Sequence, residues 1–183
     1  RTWAGGLDQL SPAVDAFVTP AEERGTLVVG AGGEVLETLA AQLETARREV
    51  RFALFNMSTS SELLGALQRA QRRGVAISGV VDGDQGHQTW DAVPALQEAG
   101  IDVRYYPGAL TGGLGRMHHK LVVVDDAKLY LGTANLSQSA LSSLELGLFF
   151  DGGVDPLAVA AARECARLMA LARRKPPRAI PGP

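Results

Sequence analysis

The sequence predicts an α/β domain, a mainly parallel or mixed β-sheet flanked by helices on both faces. Short runs rich in Val, Leu, Ile and Phe alternate along the chain with longer stretches whose apolar residues recur at helical spacing. Residues 75–81, VAISGVV, are apolar almost throughout, as a strand covered on both faces requires. At 183 residues, with 46% hydrophobic and 21% charged side chains, the chain suits one soluble globular domain with a substantial core.

Residues 1–25 mix Gly, Pro and charges around short apolar pieces and read as an N-terminal arm. The main domain spans 26–172, and the Pro/Arg-rich residues 173–183 read as a loosely attached tail. A strand is predicted at 26–29, followed by GAGGE and a helix carrying Leu36, Leu39, Leu43 and Ala46. Gly30, Gly32 and Gly33 lack nucleotide-fingerprint spacing, so a plain strand-to-helix turn is the reading preferred there. Residues 50–55 form the next strand, and Thr59 with Glu62 suggests a capping box opening a helix with Leu63, Leu64, Leu67 and Ala70, ended by Gly74. The strand at 75–81 leads to a polar loop, DGDQGHQ, a short helix closed by Gly100, and the strand IDVRYY. A Gly-rich loop, GALTGGLGR, feeds residues 119–132, read as two strands. A short helical turn follows Asn135, then a strand through Glu145 to Phe150. The last helix has Asp155 as N-cap and Pro156 in its first turn. Its stripe Leu157, Ala161, Cys165 and Leu168 makes Cys165 a small core residue.

The most informative stretch is MHHKLVVVDDAKLYLGTANLS, residues 117–137. On a strand, alternate side chains share a face, so His118 and Lys120 point together and His119 points away. One face then offers a nucleophile or acid beside a cation, while His119 reads as structural. Asp125 is out of phase with that pair and takes a supporting role, bracing the loop or a dimer junction.

This stretch resembles the phospholipase D superfamily, whose pattern is H-x-K, four residues, D, six residues, then G-[ST]-x-N. His118, Lys120, Asp125, Gly132, Thr133 and Asn135 fill every position. As an order of elements the resemblance runs from about Leu27 to about Ala172, although the motif alone is specific. Glu145 stands where the family has an acidic residue that orients the motif histidine, and Leu144 departs from the polar neighbour of many relatives. The resemblance implies phosphodiester cleavage with neither metal nor cofactor. In it His118 forms a phosphohistidine, Lys120, Asn135 and Thr133 hold phosphate oxygens, and Glu145 fixes the His118 tautomer. Gly132 and Arg116 are assigned to the substrate side: the Gly-rich loop reads either as a gate that brings Arg116 to a flanking phosphate or as an ordinary surface connection.

A second motif is absent: the only histidine outside this stretch, His87, lies in HQT without a lysine two residues on. Single-motif relatives complete their site as homodimers across a twofold axis, and the resemblance implies the same partner here.

For the substrate, a broad-specificity nuclease on DNA or RNA is the first expectation, with Arg104, Arg116 and Lys128 contributing to a basic groove. The net charge of -2 argues against a tight sequence-independent DNA binder. A phospholipase or phosphatidyl transferase is the alternative, with Leu110 and Leu114 meeting acyl chains; a non-catalytic nucleic-acid or partner-binding module is the third reading. One cysteine excludes an internal disulfide framework, and three histidines leave little for a zinc site. No apolar run reaches the length of a transmembrane segment. The start at Arg1 suggests a processed form, which fits an exported, periplasmic protein or a cytoplasmic one.

Overall fold

The computed structural model describes residues 25–86, 88–107, 115–152 and 156–176. His87, the leucines of the Gly-rich loop, the proposed Asp155 cap, the arm up to residue 24 and the tail beyond 176 lie outside the described residues. The rest forms a seven-stranded sheet. Its strands are β1 (Gly25–Ala31), β2 (Glu49–Leu54), β3 (Ala76–Asp82), β4 (Asp102–Tyr106), β5 (Lys120–Val124), β6 (Lys128–Gly132) and β7 (Leu144–Asp151). Four helices join or cover them: α1 (Gly32–Glu44), α2 (Glu62–Arg72), α3 (Val93–Glu98) and α4 (Pro156–Leu171).

The spatial order is β1-β7-β6-β5-β2-β3-β4. Parallel pairing is confined to β2 with β3 and β3 with β4, where helical crossovers return the chain to the same end of the sheet. The other pairs are antiparallel. The sheet is therefore mixed rather than mainly parallel. A tight turn joins β5 to β6, and such a turn permits only antiparallel pairing.

Side-chain alternation divides the core between the two faces. Leu39, Phe52, Leu67, Val122 and Tyr130 pack on the α1, α2 and α3 side, whereas Ala53, Val80, Leu121, Leu129 and Leu168 pack on the α4 side. Cys165 is buried in this second layer, where burial pushes its thiol up to about 12. Helix α4 lies across β2 to β6. On β1 and β7, on the same side, Leu27, Val29, Leu144 and Leu146 remain exposed, Leu144 at 91%.

Two sequence expectations change. The predicted capping box does not form: Ser61 is the N-cap of α2, and the Thr59 N–H donates to Trp90 O at 2.9 Å instead. The domain also extends past its predicted end, because Arg173 exchanges backbone hydrogen bonds with Tyr105 at 2.7 and 2.8 Å. That pairing satisfies part of the exposed edge of β4. Gly74 and Gly100 follow α2 and α3 at positive φ, 89° and 83°, as helix-ending glycines do.

Candidate active site

The β2–β5 register decides where the motif sits. Lys120 lies opposite Leu54, and the ladder continues one step further as the Phe55 N–H donates to His119 O at 2.8 Å. Alternation then sends His118 and Lys120 to the α1 side and His119 to the α4 side. His118 is exposed, with its ring tilted against Phe55 at a centroid distance of 4.7 Å. Lys120 is buried at 8% exposure; its Nζ donates to His118 O at 3.1 Å and lies 5.1 Å from the centre of the Phe55 ring. On the opposite face, His119 Nε2 lies 3.5 Å from Glu164 Oε1, and Arg167 grips that carboxylate through two 2.7 Å hydrogen bonds. His119 thus faces away from His118 and Lys120, as strand alternation requires.

Partial desolvation by its neighbours, followed by the positive charges of Lys120, Arg116 and His119, holds the His118 imidazole below its ordinary pKa of 6.5. Burial also lowers Lys120, while the Glu145 carboxylate opposes that shift. The site thus joins a histidine inclined to be neutral to a desolvated cation, a combination suited to attack on an anionic phosphate.

The second half of the site comes from β6 and β7. Gly132 closes β6 beside β7, and a Cβ there would meet the Tyr130 hydroxyl and lie 2.5 Å from Leu146 O. Gly132 is needed for this close packing. Next along the chain, the Thr133 N–H donates to Leu146 O at 2.9 Å, and Thr133 Oγ1 accepts from the Leu146 N–H at 2.9 Å. Thr133 Oγ1 donates to Glu145 Oε2. Among the described residues Glu145 makes no hydrogen bond to His118, contrary to the orienting role the sequence suggested. Its carboxylate is engaged by Thr133 and acts on Lys120 through charge.

A parallel bridge between Met57 and Leu136 sets Asn56 beside Asn135. The Oδ1 atom of each is buried and has no hydrogen-bond partner among the described residues. Unpaired buried carbonyls are costly, and they fit a surface made for a ligand with donors.

Asp125 lies at the other end of β5, about 17 Å from Lys120 at the strand rise of about 3.4 Å per residue. Its carboxylate accepts the N–H groups of Arg47, Arg48 and Glu49 at 2.8–2.9 Å, bracing the β5–β6 turn. These hydrogen bonds lie in the turn, at the far end of β5 from Lys120.

The three basic residues expected to contribute to a groove differ in their surroundings within one chain. Arg104 is paired with Asp102, and Lys128 is paired with Asp151 at the Asp125 end of the sheet. Arg116 alone of the three stands exposed beside His118 in sequence. Among the described residues no group of three or more His, Cys, Asp or Glu side chains gathers as a metal cluster would.

Two positioning residues escaped sequence reading. Asp82, fully buried at the end of β3, accepts the Met117 N–H at 2.7 Å and so anchors the chain as it enters the motif. Burial raises its carboxyl above the ordinary 3.8. Phe55 supplies the wall shared by His118 and Lys120. An acidic residue closing the apolar run VAISGVVD was the available signal for Asp82; Phe55 had none.

Residues 39–164, more than half of the chain, match the family described as "Cardiolipin synthase, PLD-like domain". The chain belongs to this PLD-like domain family. Curated relatives include a mitochondrial cardiolipin hydrolase from Danio rerio, 32% identical over 105 residues, which are 57% of this chain and 44% of that protein. Cardiolipin synthase B of Salmonella typhi is 36% identical over 98 residues, covering 50% of this chain and 24% of the relative. This PLD-like domain thus spans less than half the length of either. Among solved structures, Nuc from Salmonella typhimurium, a phospholipase D family member, superposes with a TM-score of 0.70 at 18% identity. NucT from Helicobacter pylori gives 0.73 at 20%; each comparison covers 81% of this chain and 97% of the other. At such identities these likenesses establish the fold of the PLD-like domain.

Proposed function

We propose that this PLD-like domain is a metal-independent phosphodiesterase that works as a homodimer and cleaves nucleic acid. The observation that carries the reading is the pairing of an exposed His118, held toward its neutral form, with the buried Lys120 ammonium tied to its main chain. His118 attacks phosphorus through a ring nitrogen, forming the P–N bond as the P–O bond to the leaving group breaks. The leaving oxygen takes a proton from the partner subunit's His118, which is in its imidazolium form. That imidazole, now neutral, removes a proton from water; the hydroxide attacks phosphorus and the P–N bond breaks, returning His118. Lys120 and Asn135 stabilise the charge that builds on the non-bridging oxygens, and desolvation of Lys120 strengthens its effect, while Thr133, whose hydroxyl proton goes to Glu145, holds the strand end in place.

Two features support the dimer. One chain carries one motif, and Leu144 and Leu146, which flank Glu145, belong to the exposed aliphatic face that also holds Leu27 and Val29. A second copy would cover that face. For the substrate, the side chains adjoining Asn56 and Asn135 are polar, whereas the exposed aliphatic face is on the other side of the sheet from His118. This favours a nucleic-acid strand over an acyl chain.

The names of the relatives favour the second reading, hydrolysis or transfer on a phospholipid. Cleavage of single-stranded DNA in excess EDTA, lost by at least about a thousandfold in His118→Ala at matched protomer concentration, is the expected result. Headgroup release from cardiolipin-containing vesicles with no DNA cleavage would replace the nuclease reading by the lipid one. Binding of either substrate without turnover would leave a binding module.

A further inference from the structure

A pocket of about 300 Å³ adjoins the motif, lined by Asn56, Ser58, Ser60, Trp90, Ser137 and Gln138. It is continuous with the catalytic elements. Asn56 follows Phe55, which packs on His118, and Ser137 lies two residues beyond Asn135. The walls are tied together by the Ser58 N–H donating to Leu136 O at 2.9 Å and the Gln138 N–H donating to Ser58 Oγ at 3.3 Å. A third wall is the loop after β3, where Trp90 is half-buried and its carbonyl is fixed by the Thr59 N–H.

The chemistry of this lining is specific. Hydroxyls pair within each wall, Ser58 with Ser60 at 3.1 Å and Ser137 with Ser139 at 3.0 Å, so their remaining hydrogen-bonding capacity is open to a ligand. Asn56 Oδ1 is buried and unpartnered, an acceptor awaiting a donor. A single indole provides a flat apolar surface. An acyl chain would leave the hydroxyls and the Asn56 carbonyl unpaired. A glycerol headgroup would engage the hydroxyls but leave the indole face unstacked. A planar heterocycle with donors and acceptors around its edge satisfies both kinds of wall.

Resting on the nuclease reading above, we propose that this pocket holds the nucleobase next to the scissile phosphate, stacked on Trp90 and hydrogen-bonded by Asn56 and the serine walls. The domain then reads a single-stranded or locally unpaired substrate, because a base within a duplex cannot enter the pocket without leaving its stack.

Two chromogenic diesters test this: thymidine 5′-(p-nitrophenyl phosphate), which carries a base, and methyl p-nitrophenyl phosphate, which does not. The expected preference for the thymidine ester in kcat/KM is about 5- to 150-fold, the range base–aromatic stacking supplies. In Trp90→Ala the ratio should collapse toward one, while Trp90→Phe, which keeps a ring, should retain most of it. Equal ratios in wild type and Trp90→Ala would overturn the pocket. The second readout is fluorescence. The chain has two tryptophans, Trp3 and Trp90, so in a Trp3→Phe background the emission comes from Trp90. Thymidine 5′-monophosphate should quench it saturably and glycerol 3-phosphate should not. Equal quenching by both would assign the pocket to a lipid headgroup and overturn the proposal. Selective quenching by the nucleotide without hydrolysis of either ester would uphold the pocket and sink the phosphodiesterase reading.

Discussion

Replacing Asp125 separates support from chemistry within the motif itself. The carboxylate accepts three backbone N–H groups, those of Arg47, Arg48 and Glu49, and the Arg48 guanidinium donates to the Asp125 carbonyl at 2.7 Å. Hydrogen bonds to a charged acceptor contribute about 1.5–3 kcal/mol each, less where the donors can reach water, so the set is worth about 3 kcal/mol. Asp125 also has a φ of 56°, a left-handed conformation that adds about 1 kcal/mol to the cost of an alanine. Asp125→Ala should therefore lose about 4 kcal/mol and Asp125→Gly about 3 kcal/mol. Asp125→Asn keeps an acceptor and tolerates the conformation, and should lose about 1.5 kcal/mol.

Urea unfolding at a fixed protomer concentration reads these differences, and kcat/KM on the folded fraction should stay within about threefold of wild type because the turn is remote from His118. The pH dependence adds a check on sign. Burial pushes the Asp125 carboxyl up, but the N–H groups of Glu49, Arg47 and Arg48 and the Arg48 charge outweigh it and hold the carboxyl below 3.8. Its contribution is fully present above that ordinary value and is lost as pH falls through the depressed folded one, so the gap between wild type and Asp125→Asn should narrow in strong acid. An Asp125→Ala protein of unchanged stability whose kcat fell a hundredfold would refute the reasoning.

Gly132→Ala forces a methyl against Leu146 O and the Tyr130 hydroxyl; calorimetry should show a loss of about 1–3 kcal/mol, together with reduced kcat as Thr133 shifts. By NMR, the His118 ring should titrate below 6.5, with the neutral nucleophile, and hence the acid limb of kcat/KM, gained as pH rises through that lowered midpoint. Lys120→Met should move the midpoint upward, and a wild-type midpoint at or above 6.5 would contradict the site electrostatics. Leu144→Glu combined with Leu146→Glu puts like charges at the proposed junction between copies and should weaken self-association at least about 100-fold by analytical ultracentrifugation. An intact, fully active dimer would place the junction elsewhere.

Local pattern carried much of this protein. Alternation on a strand is a two-residue property, so it separated His118 and Lys120 from His119 before any contact was visible. Helical spacing located α1, α2 and α4 for the same reason, and glycines after α2 and α3 marked their ends. The motif spacing carried the family resemblance, because the residues from His118 to Asn135 follow one another along two consecutive strands and their ends, joined by one turn. Tertiary structure decided whatever depends on residues distant in sequence. Asp82 reaches Met117 and Asp125 reaches Arg47, a single bridge between Met57 and Leu136 sets Asn56 alongside Asn135, and no local period encodes any of these placements. The failed capping box at Thr59 and the pairing of Glu145 with Thr133 have the same origin. A polar side chain takes the partner the folded chain sets within hydrogen-bond reach, and sequence spacing alone does not specify that partner.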